Sequence, residues 1–412
     1  MAKPKLALIP AAQGTKLFSV LPSDGVGDFT FTRGSVATRI NAQGLIENVA
    51  SGQSRLDYQM IDGVQKGCPH HILEPARTNL LPYSNDFSNA AWTKFGGGTG
   101  AVPIVTLNQG ISPDGTNNAT RIEFSIAAGT TTSDQSIVLD SVTVPSADTT
   151  QKSIYLKSNT SNSYELIIYE STSASGTNVK KITVTTEWKR FVVYGAVSST
   201  TSGLAFGLRN ISVSGVSQSA DVLVYGAQLE SGSFPTSYIP TSGTAVTRSA
   251  ETATGAGNST TFNDSEGVLM AEIAALADDG TNRYISLSDG TTSNRVNIFF
   301  DSSNNLRGFY NGLSGSITIN TDIKLNNKIA FKYKSGDSSF WFNGFEVATR
   351  ADSLSLSGLD SVSFDLGGGS DFYGKTKQIQ YFDSVLDSQQ LEQLTSWTSF
   401  TDMAEGQLYT IE

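Results

Sequence analysis

Residues Val222 to Thr241 read VLVYGAQLESGSFPTSYIPT. The first half is a run of β-forming residues. The second half turns to Gly, Ser and Pro, and Pro235 and Pro240 cannot donate to a ladder. In the strand, Val222, Val224 and Gly226 face one way and Leu223, Tyr225 and Ala227 the other. Both faces are fairly apolar, which predicts a strand covered by a core on one side and by a neighbouring segment on the other. The run stops well before the end of the 412 residues, so it reads as the last strand of one module and its exit toward a second.

Upstream lie ATRIEFSI, SIVLDSVTV, KSIYLKS, YELIIYE, VKKITVTT, KRFVVYGAV and GLAFGLRNISV, each bounded by Ser, Thr, Asn or Gly. Short strands at this spacing, without helices between them, predict a jelly roll or sandwich over 79–248. Downstream, SAETATGAGNSTTF at 249–262 is small and polar and reads as a linker or an edge strand. A second β block runs from EGVLMAEIAAL to SVSFDLGG. Within it, Asn343-Gly344 predicts a type I′ hairpin, whose two central residues both need positive φ. Asp289-Gly290 and Asn311-Gly312 are further turns. Asp383 to Trp397 is the one convincing helix, with Leu386, Leu391 and Leu394 on one face and Asp383 or Ser384 as its cap.

Residues 1–78 are the least regular. FTFTRGSVATRI and NAQGLIENV give short strands, Pro69 and Pro75 punctuate the rest, and apolar residues are too few for an independent core. Such a segment predicts an arm that packs on something else. It is expected to drive assembly of a homo-oligomer, with a trimer as the expected form. The fold class is all-β: an irregular N-terminal anchoring segment over 1–78, a jelly roll over 79–248, a second antiparallel sandwich over 249–412, and a short C-terminal helix.

Composition narrows the function. The net charge is −10, and Lys and Arg occur only in short pairs such as Lys180-Lys181 and Lys189-Arg190. A phosphate backbone needs clustered cations, so no nucleic-acid partner is expected. No segment approaches the ~20 apolar residues of a membrane span, so no membrane insertion is expected. The apolar run Leu6–Ile9 is cut by Pro10 and falls short of the ~7–15 residues of a signal h-region, so synthesis in a cytoplasm is expected. Cys68 is the single cysteine, which excludes an intramolecular disulfide.

NLLPYSNDFSNAAWTK, SIYLKS, TTEWKRFVV and the Val222–Thr241 run resemble the carbohydrate-binding-module jelly rolls of bacteriophage structural proteins. The likeness covers most of 79–248, and its most specific part is Gln-Leu-Glu followed by Pro-Thr-Ser-Tyr-Ile-Pro. FTRGSVATRINAQGLIE with LEPARTNLL resembles the leader before such modules in phage tail and head-fibre proteins. LNNKIAFKYKSGDSSFWFNGFEV and QIQYFDSVLDSQQLEQL, within 263–396, resemble the laminin-G/concanavalin-A-like superfamily.

These resemblances imply a non-catalytic virion component: a fibre, spike or decoration protein. Residues 1–78 would anchor it to other virion proteins, and its sandwiches would bind a host-surface glycan. A soluble bacterial carbohydrate-binding protein is the alternative, and a glycan hydrolase or lyase the third reading. Jelly rolls of this kind often hold a structural calcium near the first strand, with an acidic residue after an Asp-Phe pair. Here Asp86-Phe87 is followed by Ser88, leaving Asp86 and Asp221 as candidate ligands for a cation that wants about six to eight oxygens.

Other chemistry is weakly signalled. CPHH, with Cys68, His70 and His71, reads as an exposed turn after a buried cysteine, since zinc needs converging spaced pairs. The Glu-x-Asp-x-x-Glu strand of a retaining glycosidase does not occur, and Asp278-Asp279 reads as a turn. Sugar binding rests on aromatic faces with amides, carboxylates and guanidiniums around them. Trp92, Tyr169, Trp188, Tyr310 and Trp341 are the aromatic candidates, with Trp188 and Trp341 expected in cores. Tyr310, beside Asn311-Gly312, is expected to be exposed, and Arg283, Asp289, Asn294 and Asn311 are expected to supply polar contacts from neighbouring loops.

Overall fold

A computed structural model of the chain describes residues 3–13, 16–61, 64–127, 134–144, 149–170, 178–196, 200–209 and 215–398, and strand counts are of these. They form antiparallel sheets and one α-helix, Ser388–Thr395.

The jelly roll is two five-stranded sheets. One runs Ile104–Gly110, Ala119–Ser125, Ser219–Ser231, Thr149–Ser158, Lys189–Ala196; the other Val179–Val184, Tyr164–Glu170, Thr201–Arg209, Gln135–Thr143, Thr93–Gly97. Phe206 anchors the core between them, meeting Phe87, Trp92 and Phe124 edge-on at 6.0, 6.3 and 6.1 Å. Ser219–Ser231 sends Val222 and Val224 into this core and Tyr225 to the outer face. There Ile46, from the leader hairpin Ala37–Ile40/Ile46–Val49, packs on Tyr225 and Tyr238. The strand is thus covered on both sides, as its composition predicts.

Its alternation breaks at Gly226. Tyr155 pairs with Tyr225, but Ser153 pairs with Gln228, so one extra residue bulges and Ala227 and Leu229 return to the core. Gly226 sits at φ 65°, where a Cβ would also meet the Tyr155 ring at 3.1 Å. The following loop does not lead away. Thr236 donates through N and Oγ1 to the Glu230 carboxylate at 2.8 and 2.7 Å, and Ile239 N donates to Gln228 Oε1 at 2.7 Å. The Pro-rich run is latched back onto the strand that precedes it.

The second sandwich sets a nine-stranded sheet against a five-stranded one. Gly374–Phe382 pairs with Glu266–Ala275 on one side. Its other side pairs with Val64–Leu73 through Gly374–Thr376 and with Leu6–Gln13 through Ile379–Tyr381. Leu6, Leu8 and Leu73 belong to the same core as Ile285, Phe331 and Tyr381. The leader therefore completes the C-terminal sheet of its own chain. It has few apolar residues because it borrows a core, and that core lies in the same chain. Thr252–Thr254, in the small polar stretch, pairs with Thr30–Thr32.

Asn343 and Gly344 have φ 47° and 92°, as a type I′ turn between Phe342 and Phe345 requires. Leu386, Leu391 and Leu394 pack with Met270 and Trp341 on the back of the nine-stranded sheet. The helix cap is Asp387 rather than Asp383 or Ser384. Its carboxylate accepts from Gln390 N at 2.8 Å while Gln390 Oε1 accepts from Asp387 N at 3.1 Å, and this reciprocal box needs a Gln or Glu three residues on.

Where leader, jelly roll and second sandwich meet, Arg33, Arg55 and Arg248 surround Glu74 and Glu251, all buried. Arg33 bonds Glu251 at 2.7 Å, and Arg55 and Arg248 each bond Glu74 at 2.8 Å. Ser237, from the latched loop, donates through N and Oγ to Glu74 at 2.8 and 2.6 Å. Burial pushes the Glu74 carboxyl up, but Arg248, Arg55 and Ser237 outweigh it and hold it far below the usual carboxylate range.

Candidate functional site

The outer face of the five-stranded sheet in the second sandwich carries a recess. Along Arg295–Phe300, Val296, Ile298 and Phe300 enter the core, so Arg295, Asn297 and Phe299 point outward. Along Leu306–Tyr310, Leu306 and Tyr310 enter the core and Arg307 and Phe309 point outward. Register sets Tyr284 opposite Phe299, Phe299 opposite Arg307, and Asn297 opposite Phe309. The outward set, joined by Asn282, Asp301 and Ser316, lines a volume of about 370 Å³.

Inside it, Tyr284 and Phe299 stack with centroids 4.4 Å apart and planes at 12°. The Arg307 guanidinium lies 5.7 Å from the Phe299 centroid and that of Arg295 lies 4.8 Å from Phe309. With its amide oriented to suit its neighbours, Asn297 accepts from Arg295 Nε at 3.0 Å and donates to Ser286 Oγ at 3.1 Å. Arg307 bonds Asp301 at 3.2 Å. Burial raises the Asp301 pKa, but the backbone N–H groups of Asn305 and Ser303, with Arg307, outweigh it and keep the carboxyl below its ordinary value. Asp301 is the only carboxylate among the described residues lining the recess.

The residues singled out in the sequence fall elsewhere. Tyr310 is 0% exposed, its ring 5.8 Å from Phe331 and its hydroxyl 3.2 Å from Ser338 Oγ. It is the inward residue of its strand; the turn starts one position later. Arg283 is buried too, paired with Asp279 at 2.6 Å and set opposite Phe300. Asp289, Asn294 and Asn311 do share one end of the sheet, the end away from Arg283. There Asn294 Nδ2 donates to Asp289 Oδ2 at 2.9 Å and Asn311 N to Arg295 O at 3.2 Å, so they tie the turns together.

The calcium candidates are also separated in role. Both oxygens of Asp221 accept from Arg121, at 2.8 and 2.7 Å, and from Asn159 Nδ2, at 3.1 and 3.2 Å. A guanidinium at the carboxylate takes the place a cation would need. Asp86 Oδ1 closes a turn by accepting from Ser88 N at 3.1 Å and Asn89 N at 3.2 Å. Among the described residues no group of three or more His, Cys, Asp or Glu could hold a metal ion.

CPHH is the reverse of its sequence reading. It lies in the strand Val64–Leu73, with Cys68 exposed and His70 and His71 buried. Burial is the main cause of the low pKa of both imidazoles, with His71 falling to about 3. His71 sits edge-on to Phe31 and Phe364, between the leader and the second sandwich. Trp92, Tyr169 and Trp341 are buried, and Trp188 donates its Nε1–H to Ile111 O at 3.0 Å.

Sequence reasoning missed Tyr284, Arg295, Phe299, Arg307 and Phe309. A signal was present in RVNIFF, which alternates: with Val296, Ile298 and Phe300 placed inward, Arg295, Asn297 and Phe299 are left on the outer face.

No family model matches the chain, and no curated protein matches it. Solved structures similar to parts of it include the CBM40 of Ruminococcus gnavus IT-sialidase, 16% identical over 35% of this chain and 94% of that one, with a TM-score of 0.29. Domain 4 of AbnA, a GH43 extracellular arabinanase from Geobacillus stearothermophilus, is 11% identical over 36% and 73%, at 0.29. The family 11 carbohydrate-binding module from Clostridium thermocellum is 15% identical over 38% and 96%, at 0.25. Likenesses of this size carry no weight for the function of this chain.

Proposed function

We propose that the chain is a non-catalytic glycan-binding protein and that sugar sits in the recess on the second sandwich. The observation behind this is the Tyr284–Phe299 stack set among Arg295, Asn297 and Arg307 on one sheet face. Sugar rings lay C–H faces on aromatic rings while guanidiniums and amides meet their hydroxyls. The single carboxylate in the recess, Asp301, is already held by Arg307, whereas glycoside hydrolysis uses a pair of them.

The test is binding of the full chain, coupled in many copies to beads, to a broad glycan panel. Multivalent display raises effective affinity by ~10²–10⁴. Binding to a defined set of glycans, lost at least about 10-fold in Tyr284→Ala with thermal stability kept, is the expected result. No binding to any glycan ends the reading.

The finer reading is a phage fibre, spike or decoration protein that presents this recess to a host surface. It is supported by the sequence resemblance of the leader and of 79–248. The chain should then stay with purified particles through a density gradient; loss from them leaves a soluble bacterial binding protein as the better reading.

A further inference from the structure

We infer that the recess selects acidic glycans, with Arg295 and Arg307 receiving a sugar carboxylate; this rests on the glycan-binding reading above. The aromatic rings here do more than offer flat faces. Phe299 has Tyr284 on the strand to one side and Arg307 on the strand to the other. Phe309 carries Arg295 at 4.8 Å. Each ring therefore holds a guanidinium in place by cation–π contact, which limits its rotamers and leaves its N–H edges as the reactive feature.

Those edges have donors to spare. Arg307 bonds Asp301 through one terminal nitrogen, and its side chain is about a third exposed. Arg295 spends Nε on Asn297, and among the described residues no side chain accepts from its terminal nitrogens. Arg295 and Arg307 against Asp301 leave one positive charge in the recess, within a chain of net charge −10. A neutral sugar would leave that charge uncompensated. A planar carboxylate matches the guanidinium fork and accepts charge-assisted hydrogen bonds.

The test uses the full chain and carboxylated oligosaccharides of several linkages, each paired with its own carboxyl-reduced form. Calorimetry or bead binding at low and at high NaCl reads the preference within each pair. The expected result is tighter binding of at least one acidic member, by about 10-fold or more over its reduced form, shrinking as salt screens the charge. Arg295→Gln should remove the preference with the melting temperature kept, since this side chain is half-buried on the outer face. Equal binding of both members, or a preference for the reduced forms, overturns the inference and leaves the glycan-binding reading standing. An unchanged preference in Arg295→Gln also overturns it. Binding to neither these pairs nor the broad panel overturns both.

Discussion

Glu251 takes the guanidinium of Arg55 across both carboxylate oxygens: Arg55 Nε donates to Oε1 at 2.8 Å and its terminal nitrogen donates to Oε2, with both side chains 0% exposed. Arg55 comes from the leader and Glu251 from the polar stretch before the second sandwich, so the contact closes the junction of three segments.

Glu251 serves two buried guanidiniums, and only Arg55 has a second carboxylate, Glu74, among the described residues. Glu251→Ala leaves Arg33 and Arg55 buried without their shared carboxylate, a loss of about 3–5 kcal/mol for a broken buried pair. Urea denaturation should show it, and a loss below about 1 kcal/mol would mean that water enters the junction at little cost.

Acid should weaken the chain in two windows. His71 has a folded pKa of about 3, below its unfolded value of ~6.5, so the unfolded state binds the extra proton. Its contribution is complete above about pH 6.5 and lost as pH falls toward 3; about 1 kcal/mol should be gone by pH 5.5. Glu74, depressed by Arg248 and Arg55, keeps its contribution above its unfolded pKa and loses it progressively below. Denaturation midpoints between pH 7.5 and 5 should fall, and fall less in His71→Leu. Equal slopes in the two proteins would sink the assignment to His71.

Tyr310→Ala should destabilise the second sandwich by about 3–5 kcal/mol, the cost of truncating a large buried ring. Tyr310→Phe should cost only about 1–2 kcal/mol, because it loses the hydroxyl's bonds to Ser338 Oγ and Asp352 O and keeps the ring. Glycan binding by the folded fraction should be unchanged in both.

Deleting residues 1–78 should expose the paired edge of Gly374–Phe382 and remove Leu6, Leu8 and Leu73 from the core. An open apolar strand edge aggregates. The expected product is insoluble or unfolded in its C-terminal half, read by circular dichroism and light scattering. A soluble, cooperatively folding truncation would show that these pairings are dispensable.

Local patterns in the sequence predicted local structure. Alternation placed Val222 and Val224 in a core, and Asn343-Gly344 placed a hairpin. What stayed hidden depends on partners far along the chain. Nothing near Leu8 says that it pairs with Ile379, and nothing near Glu74 says that Arg248 and Ser237 will reach it. Errors of one residue had large effects because side chains alternate. The Asn311-Gly312 turn draws Tyr310 toward the loop, whereas it ends the strand, and plain alternation runs through Gly226, where the strand bulges. The recess is hidden for a related reason: its residues stand on strands, where no turn motif marks them.

The strand pairing Leu6–Gln13 beside Gly374–Phe382 has a consequence for biosynthesis. Leu6–Gln13 is synthesised long before Ile379–Tyr381, so only its edge toward Lys16–Leu21 can pair early, and its other edge must wait for Gly374–Phe382. The jelly roll is complete in sequence by Ser231 and can close during that wait. The second sandwich cannot, and its slow step is the search that brings the two most distant strands together. Any chain broken or stalled before Phe382 leaves that edge of Leu6–Gln13 without its partner, which couples this half of the fold to synthesis through Gly374–Phe382.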